Sequence, residues 1–390
     1  MHVVYANQRP PESWTSSIFL AGPTPREGRD IPAPISWRLE ALDILKTIGY
    51  KGVVFVPETE DGTFKHDYDD QIEWEEMCLN FADIILFWIP RELTAMPGFT
   101  TNDEWGYWKK SDPMKLVLGT PPDAPKVKYQ RYYAKKYSIP LVGSLEEACT
   151  LAYQKIQPIG IRRTGGEREV PLHIWHTPSF RQWYRALKQA RNKLEGARVE
   201  WTFRVGPNKD TVFFWVLHVD IYIDAEDRHK SNEVVIGRPD ISTILLYEKA
   251  ADVLQSRLVL VKEFRSPVSN YVGFVLELAG GSSFKEVGDH LMIAAEECFE
   301  ELGLRIRPNR FREHETRQLT ATTLAHRAHL FSVCLTPEEM DEVVLTSDTV
   351  RGVEEDSERT QAVVTTYREV LTDNLVDWSM LGMIASVLHE

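Results

Sequence analysis

Over residues 17–156 the chain alternates short apolar runs with stretches of helical periodicity. Ser17–Ala21 (SIFLA), Val53–Val56, Asp83–Ile89 (DIILFWI) and Lys115–Leu118 each fit a buried strand. Ser36–Ile48 repeats its apolar positions at helical spacing, with Ser36 as N-cap and Gly49 as stop. Tyr68–Phe81 and Leu145–Ile156 predict two more helices. Strands of this length separated by helices predict a doubly wound parallel α/β sheet, which receives ligands at the carboxyl ends of its strands. Gln157–Pro171 (QPIGIRRTGGEREVP) is rich in Gly, Pro and charge and lacks periodicity. The expected organisation is therefore a first domain at 1–157, a linker at 158–171 and a second domain at 172–390. In the second domain the texture changes. Arg198–Arg204, Thr211–Ile223, Val234–Ile236, Ile244–Tyr247 and Leu258–Phe264 look like strands, and one strongly patterned helix spans about Asp289–Leu302. Many strands around one charged helix predict an α+β domain.

Composition narrows the functions open to such a chain. At 390 residues it exceeds the size at which one hydrophobic core keeps growing. A net charge of -13 argues against a general nucleic-acid binder, whose affinity rests on Lys and Arg at phosphates. It leaves a small phosphorylated ligand open, since local cations or a metal can offset it. Cys78, Cys149, Cys298 and Cys334 are widely spaced, which favours reduced thiols and a cytoplasmic protein. The N-terminus lacks the pattern of a signal peptide, and no stretch approaches the ~20 apolar residues that span a bilayer. A soluble protein is expected.

Three fragments carry the chemistry of the first domain: IFLAGP (Ile18–Pro23), EWEEMCLNFADIILFWIP (Glu73–Pro90) and PGFTTNDEWGYW (Pro97–Trp108). Each falls at a predicted strand end or on the adjoining helix, so their carboxylates can meet above one edge of the sheet. Breaking an N-glycosidic bond develops positive charge at the anomeric carbon. One carboxylate can stabilise or attack that carbon, and a second can hold sugar hydroxyls or move a proton. Trp74 and Trp105 each adjoin an acid of this set and are expected to stack on a base, whereas Trp88 suits core packing equally well. These fragments resemble the nucleoside 2-deoxyribosyltransferases and the related deoxynucleoside-monophosphate glycosidases. The resemblance implies a flavodoxin-like sheet, Glu104 as nucleophile and Glu75 as the sugar-binding acid. It further implies a turn shaped by Gly22 and Pro23, with Asp103 or Asn102 assisting. Phe19 stands where that family often has Tyr, and Glu75 where it usually has Asp.

The second domain contributes AEECFEELGL (Ala295–Leu304), in which Glu297, Glu300 and Glu301 share one helix face at i, i+3 and i+4. Clustered carboxylates suit a hard divalent cation such as Mg²⁺ or Mn²⁺, which polarises a diphosphate and activates water. The stretch resembles the end of the Nudix box, and Phe264–Phe284 resembles the segment before the box in enzymes that hydrolyse ADP-ribose and nucleotide sugars. The resemblance implies a Nudix fold, metal binding through Glu297, Glu300, Glu301 and the Ala279 position, and a catalytic role for Glu301. It also implies a phosphate contact at Arg265, a further acidic group at Glu355 (beside Glu354) and a homodimer. Glu296 replaces the box's leading Arg. Together the two domains predict a bifunctional nucleotide-processing enzyme that cuts a base from a sugar and a diphosphate next to one. Sequential breakdown of NAD and clearance of deoxynucleotides or modified nucleotides both fit. The alternative is a sensor whose Nudix-like domain binds a nucleotide without turnover.

Overall fold

The computed structural model describes residues 1–26, 33–60, 68–156, 160–207, 209–282, 290–351 and 359–390. The chain divides into two compact units, Met1–Val235 and Ile236–Glu390.

The first unit is built on six strands: β1 (His2–Tyr5), β2 (Ser17–Ala21), β3 (Val53–Val56), β4 (Ile84–Trp88), β5 (Leu116–Gly119) and β6 (Leu141–Val142). They lie in the order β1-β3-β2-β4-β5-β6, and every pair is parallel. Successive residues of a strand face opposite sides, so this sheet has two apolar faces. Phe19, Phe55, Ile85, Phe87 and Leu118 pack beneath α2 (Tyr68–Phe81), α3 (Phe99–Ser111) and α4 (Lys128–Lys136). Ile18, Leu20, Val54, Leu86 and Val117 pack beneath α1 (Trp37–Thr47) and α5 (Leu145–Lys155). The sheet is therefore doubly wound, and strand order reverses between β2 and β4. Chain leaving β2 enters α1 on one face, and chain leaving β4 enters α3 on the other. A crevice at such a switch point is where open α/β sheets take their ligands. Ser36 caps α1 through Arg38 N (3.2 Å), as its position before the periodic stretch implied.

The segment expected to be a linker is part of this unit. Arg162 is fully buried, its Nη1 donates to Asp83 Oδ1 (2.8 Å), and its Nη2 pairs with Asp83 Oδ2. Its backbone also exchanges hydrogen bonds with Trp14. The helices α6 (Gly165–Glu169), α7 (Leu172–Trp175) and α8 (Pro178–Gln189) follow, then a three-stranded sheet of β7 (Lys193–Val205), β8 (Thr211–Ile223) and β9 (Arg228–Gly237). Composition hid this packing, because the charge that reads as linker texture is spent in a buried pair. The first compact unit thus extends to Val235, through 78 residues assigned from sequence to the linker and second domain (158–235).

The second unit is a mixed sheet in the order β14-β16-β10-β11-β18-β17, with β12 added to β11 and β13 to β10. Its strands are β10 (Ile241–Glu248), β11 (Arg257–Phe264), β12 (Phe274–Glu277), β13 (Ala279–Ser282), β14 (Arg312–Glu313), β15 (Arg317–Gln318), β16 (Arg327–Cys334), β17 (Val350–Arg351) and β18 (Thr360–Thr366). Ile244, Leu246, Val259 and Val261 face α9 (His290–Leu302) and α10 (Pro337–Thr346). Leu245, Leu258 and Leu260 face α11 (Tyr367–Thr372) and α12 (Trp378–Leu388). Among the described residues four helices cover the sheet, of which α9 is the strongly patterned helix expected at about Asp289–Leu302 and α12 matches the Asp377–Ala385 stretch that resembles a closing helix. No helix among the described residues is long and apolar enough to cross a membrane.

Candidate functional site

The reversal between β2 and β4 is drawn tight by one glycine. Gly22 follows β2 with φ +149, and a Cβ there would lie 2.1 Å from the Trp88 carbonyl oxygen at the end of β4. No other residue fits so close an approach. Pro23 follows, its carbonyl accepting from the Trp37 indole N–H (3.0 Å). Gly98, in the left-handed conformation at the start of α3, lies against the Pro23 ring, where an added Cβ would come within 3.3 Å of Pro23 Cβ. The predicted turn therefore joins the ends of β2 and β4 and sets where α3 begins.

Arg38 on α1 locks the same turn. It is fully buried and donates from Nε to Leu20 O (3.0 Å), from Nη2 to Gly22 O (2.7 Å) and from Nη1 to Glu58 Oε1 (2.5 Å). Thr24 Oγ1 accepts at 3.3 Å. The sequence did carry a signal for this residue, and it went unread. Arg38, Ala41 and Leu45 form the buried stripe of α1, and a cation on an apolar stripe must find buried partners.

Glu75 on α2 and Glu104 on α3 act on each other electrostatically, and both feel this guanidinium. Burial pushes the Glu104 carboxyl up to about 8; the Glu75 charge adds to the rise, the Arg38 cation opposes it, and Asp103 contributes a further upward push. Glu75 is also raised, chiefly by burial, while a hydrogen bond from Gln71 Nε2 (2.8 Å) and the Arg38 charge pull the other way. Two carboxylates from different helices thus share one electrostatic environment with the buried Arg38 cation. Such a pair resists ionisation in both members and strongly favours a positive centre placed between them.

The other residues expected here take different places. Trp105 is 1% exposed and packs edge-on to Phe87 (5.3 Å), and Trp74 is 6% exposed, its indole N–H held by Gln8 O (2.8 Å). Both belong to the core cluster beneath the helices. Neighbours on a helix point about 100° apart, so a Trp beside an inward-facing acid faces elsewhere. Trp88, offered equally as core, is buried at the end of β4. Asn102 Oδ1 accepts from Arg91 Nη2 (2.6 Å) and Gln130 Nε2 (2.8 Å), which ties α3 to α4. Asp103 is exposed and acts on Glu104 through its charge.

In the second unit, Glu297 and Glu301 lie one turn apart on the half-buried face of α9, against β13. Gly280 N–H donates to Glu301 Oε2 (3.0 Å), and a Cβ at Gly281 would come within 2.0 Å of Glu297 Oε1. Glycine at 281 is thus what lets the Glu297 carboxylate reach the strand. Glu300 is exposed and does not join them. Ala279 O accepts from Thr243 Oγ1 (3.1 Å). Arg265, expected at a phosphate, instead forks onto Glu277 Oε2 (3.1 and 2.9 Å) and reaches Glu263 (2.8 Å). Glu354 and Glu355 lie outside the described residues. Among the described residues no three His, Cys, Asp or Glu side chains are gathered so as to hold a metal ion. Among the described residues two hard oxygen donors converge where three were expected, and the donor type suits Mg²⁺ or Mn²⁺.

Residues 15–123 match the family described as nucleoside 2-deoxyribosyltransferase like, a span that holds Gly22, Arg38, Glu75 and Glu104. No match to the Nudix family was found. No curated protein matches the chain. The first unit therefore carries a nucleoside 2-deoxyribosyltransferase-like domain, which points to an enzyme that processes nucleosides.

Proposed function

We propose that the first unit breaks N-glycosidic bonds of nucleosides or nucleotides, with Glu104 as nucleophile. The observation that carries this reading is the electrostatic pairing of Glu104 with Glu75 beside Arg38, at the switch point of a doubly wound sheet. A Glu104 carboxylate oxygen attacks the anomeric carbon, the C–N bond breaks, and its electron pair leaves with the base. The base takes a proton, and a glycosyl ester remains on Glu104. Water or a second base then attacks the same carbon and frees Glu104. Glu75 holds sugar hydroxyls, and its negative charge stabilises the cationic carbon in both steps. Arg38 keeps enough negative charge on the two acids for attack and fixes the Gly22 turn that borders them.

A second reading concerns the second unit, where Glu297 and Glu301 converge on β13. These two residues, with Glu300 or Glu355 brought in, would hold a divalent cation such as Mg²⁺ for a Nudix-type hydrolysis. When bound, that ion would polarise a diphosphate and activate water. Both readings together describe a bifunctional enzyme, with NAD as one substrate that contains both bonds.

The test is mass spectrometry of products from nucleosides, deoxynucleoside monophosphates, NAD and ADP-ribose, with Mg²⁺ or chelator. Wild type is run beside Glu104→Ala and Glu301→Gln. Free base that disappears only in Glu104→Ala supports the glycosidic reading. Metal-dependent cleavage of a diphosphate that disappears only in Glu301→Gln supports the Nudix reading. Binding without turnover in either unit would replace both with a sensor.

A further inference from the structure

The first unit contains a cavity that the glycosidic chemistry does not use. It is a groove of about 900 Å³, walled by residues 7–12, by the α2 stripe of Trp74, Met77 and Phe81, by residues 163–168, and by parts of α8 and β7. That volume lies in the range of sites that enclose a small organic ligand. Glu75 follows Trp74 by one residue, about 100° around the helix. The groove and the paired carboxylates therefore use different faces of α2.

The charge of the lining stands out against the chain as a whole. Five lining side chains are cationic and three are acidic, in a protein of net charge -13. One of the acids is already satisfied, since Glu167 accepts from the Tyr184 hydroxyl and from Arg163 N (2.5 Å) and lies 3.9 Å from Lys188. Arg168 is fixed over the Trp14 and Phe81 rings (4.8 and 5.5 Å) and donates to Arg163 O (3.1 Å). Arg9, Arg163 and Lys193, by contrast, form no ion pair among the described residues. Lys193 Nζ lies only over the Tyr222 ring (4.9 Å). Glu12 and Glu195 share the lining and set a limit on how much negative charge it accepts. The floor is apolar and partly aromatic, with Met77 37% exposed and Phe81 half-buried.

An apolar, partly aromatic floor beside uncommitted guanidinium and ammonium groups matches one kind of ligand: a planar ring carrying a phosphate. Arg forks match phosphate oxygens, and aromatic faces accept any base. We propose that this groove is a second ligand site of the first unit and takes a nucleoside monophosphate. The phosphate sits among Arg9, Arg163 and Lys193, and the base lies along Met77 and Phe81. The inference does not depend on the glycosidic reading, because it uses none of Arg38, Glu75 or Glu104.

AMP is the probe, titrated calorimetrically into the full chain carrying Glu104→Gln, so that turnover cannot blur the measurement. Amide hydrogen exchange locates the binding. AMP is expected to protect residues 7–12 and 163–168. The R163E/K193E variant is expected to bind AMP about tenfold more weakly or worse, since it reverses two charge-assisted contacts, with R163Q/K193Q in between. Adenosine and inorganic phosphate are each expected to bind more weakly than AMP. The R163E/K193E exchange on an otherwise wild-type chain is expected to leave base release unchanged, so a failure of the glycosidic reading is scored separately. Three results would overturn the site: unaltered AMP affinity in a folded R163E/K193E variant, protection confined to the region of Gly22 and Glu104, or no binding at millimolar AMP. Phosphate binding as tightly as AMP would overturn the nucleotide assignment.

Discussion

Asp83 and Glu104 flank the same strand of the first unit and are treated in opposite ways. Asp83 precedes β4 and is almost wholly buried, yet it accepts from Ser17 N (2.7 Å), from Ser17 Oγ (3.1 Å) and from both ends of the Arg162 fork. Glu104 stands on the helix that follows β4, and among the described residues its carboxyl has no hydrogen-bond or ion-pair partner. Its charged neighbours are Glu75 and Asp103, of like sign, and Arg38, whose hydrogen bonds go to Leu20, Gly22, Thr24 and Glu58. A carboxylate with every lone pair engaged holds structure together and has nothing left for chemistry. One that is half-buried without a hydrogen-bond partner, like Glu104, costs stability, and a site that needs negative charge at one carbon is where such a cost is kept. On the proposed reading, the sheet uses the amino ends of its strands for adhesion and the carboxyl ends for reaction.

The strongest way to break this contrast is at Glu104. Glu104→Gln is expected to lower base release by about 10³-fold or more, the scale on which loss of a nucleophile acts, while stability holds or rises. Base release followed alongside thermal unfolding checks both at once. A variant that loses activity only because it unfolds would refute the assignment. The pH dependence sharpens the point. Folded Glu104 keeps its proton up to about 8, well after the unfolded chain has released it, so the stability tied to that proton is present at low pH. It is lost as pH rises toward 8, with a slope of at most about 1.4 kcal/mol per unit. Denaturant midpoints between pH 5 and 8 should fall in wild type and flatten in Glu104→Gln. For activity the sign is opposite, since attack needs the ionised form: base release per enzyme should climb over the same range. Arg38→Gln removes the cation that opposes the rise and should move the activity profile to still higher pH.

At the other end of the strand, Arg162→Met is expected to cost about 3–5 kcal/mol, because it strands a buried charge on Asp83. Replacing both partners, with Arg162→Met and Asp83→Leu, should recover much of that loss. Equilibrium unfolding of the two variants decides it; a single variant as stable as wild type would mean that the pair is adhesive in geometry only. Turnover at a permissive temperature should scarcely change, in contrast to Glu104→Gln.

The two sites were unequally legible in the sequence. β3 and α2 run between the residues that periodicity indicated, and Ser36 caps α1 as its position implied. Glu75 and Glu104 stood out because their fragments resemble those of nucleoside 2-deoxyribosyltransferases. Arg162 could not be read so, because its partner is 79 residues away and its own surroundings, IRRTGGERE, look like solvated linker. Arg38 was missed for a related reason: one charge on an otherwise regular helix looks like tolerance until its acceptors, the carbonyls of a distant turn, are in view. In α9 spacing put three glutamates on one face, but a helix face is wide, and the packing of β13 admits only Glu297 and Glu301. Sequence reports which residues share an element's face; it does not report what covers that face.

Gly22 joins the two halves of the contrast, since it is where β2 and β4 close on each other. Gly22→Ala would add about 1–3 kcal/mol of backbone strain at φ +149 and force the Trp88 carbonyl aside. The turn also carries an Arg38 acceptor, so substrate binding is expected to weaken more than the melting temperature falls. Comparison of KM with Tm checks this, and a loss of stability with unaltered KM would detach the turn from the site.

The smallest expected effect is at Trp105, where two properties of the side chain oppose each other. Trp105→Phe gives up part of a large buried surface, including contact with Phe87, and would normally cost a few kcal/mol at most. Its indole N–H, however, is buried among the described residues without an acceptor, and phenylalanine removes that unsatisfied donor. Losing such a group recovers about 1–3 kcal/mol of desolvation, so the net change should fall within about 1 kcal/mol of zero. A stacking role would give a different pattern, a raised KM for every substrate with little change in stability. Unaltered KM in Trp105→Phe therefore keeps this residue with the core beneath the site, on the adhesive side of the comparison. A severalfold rise would move it into the reactive half with Glu104.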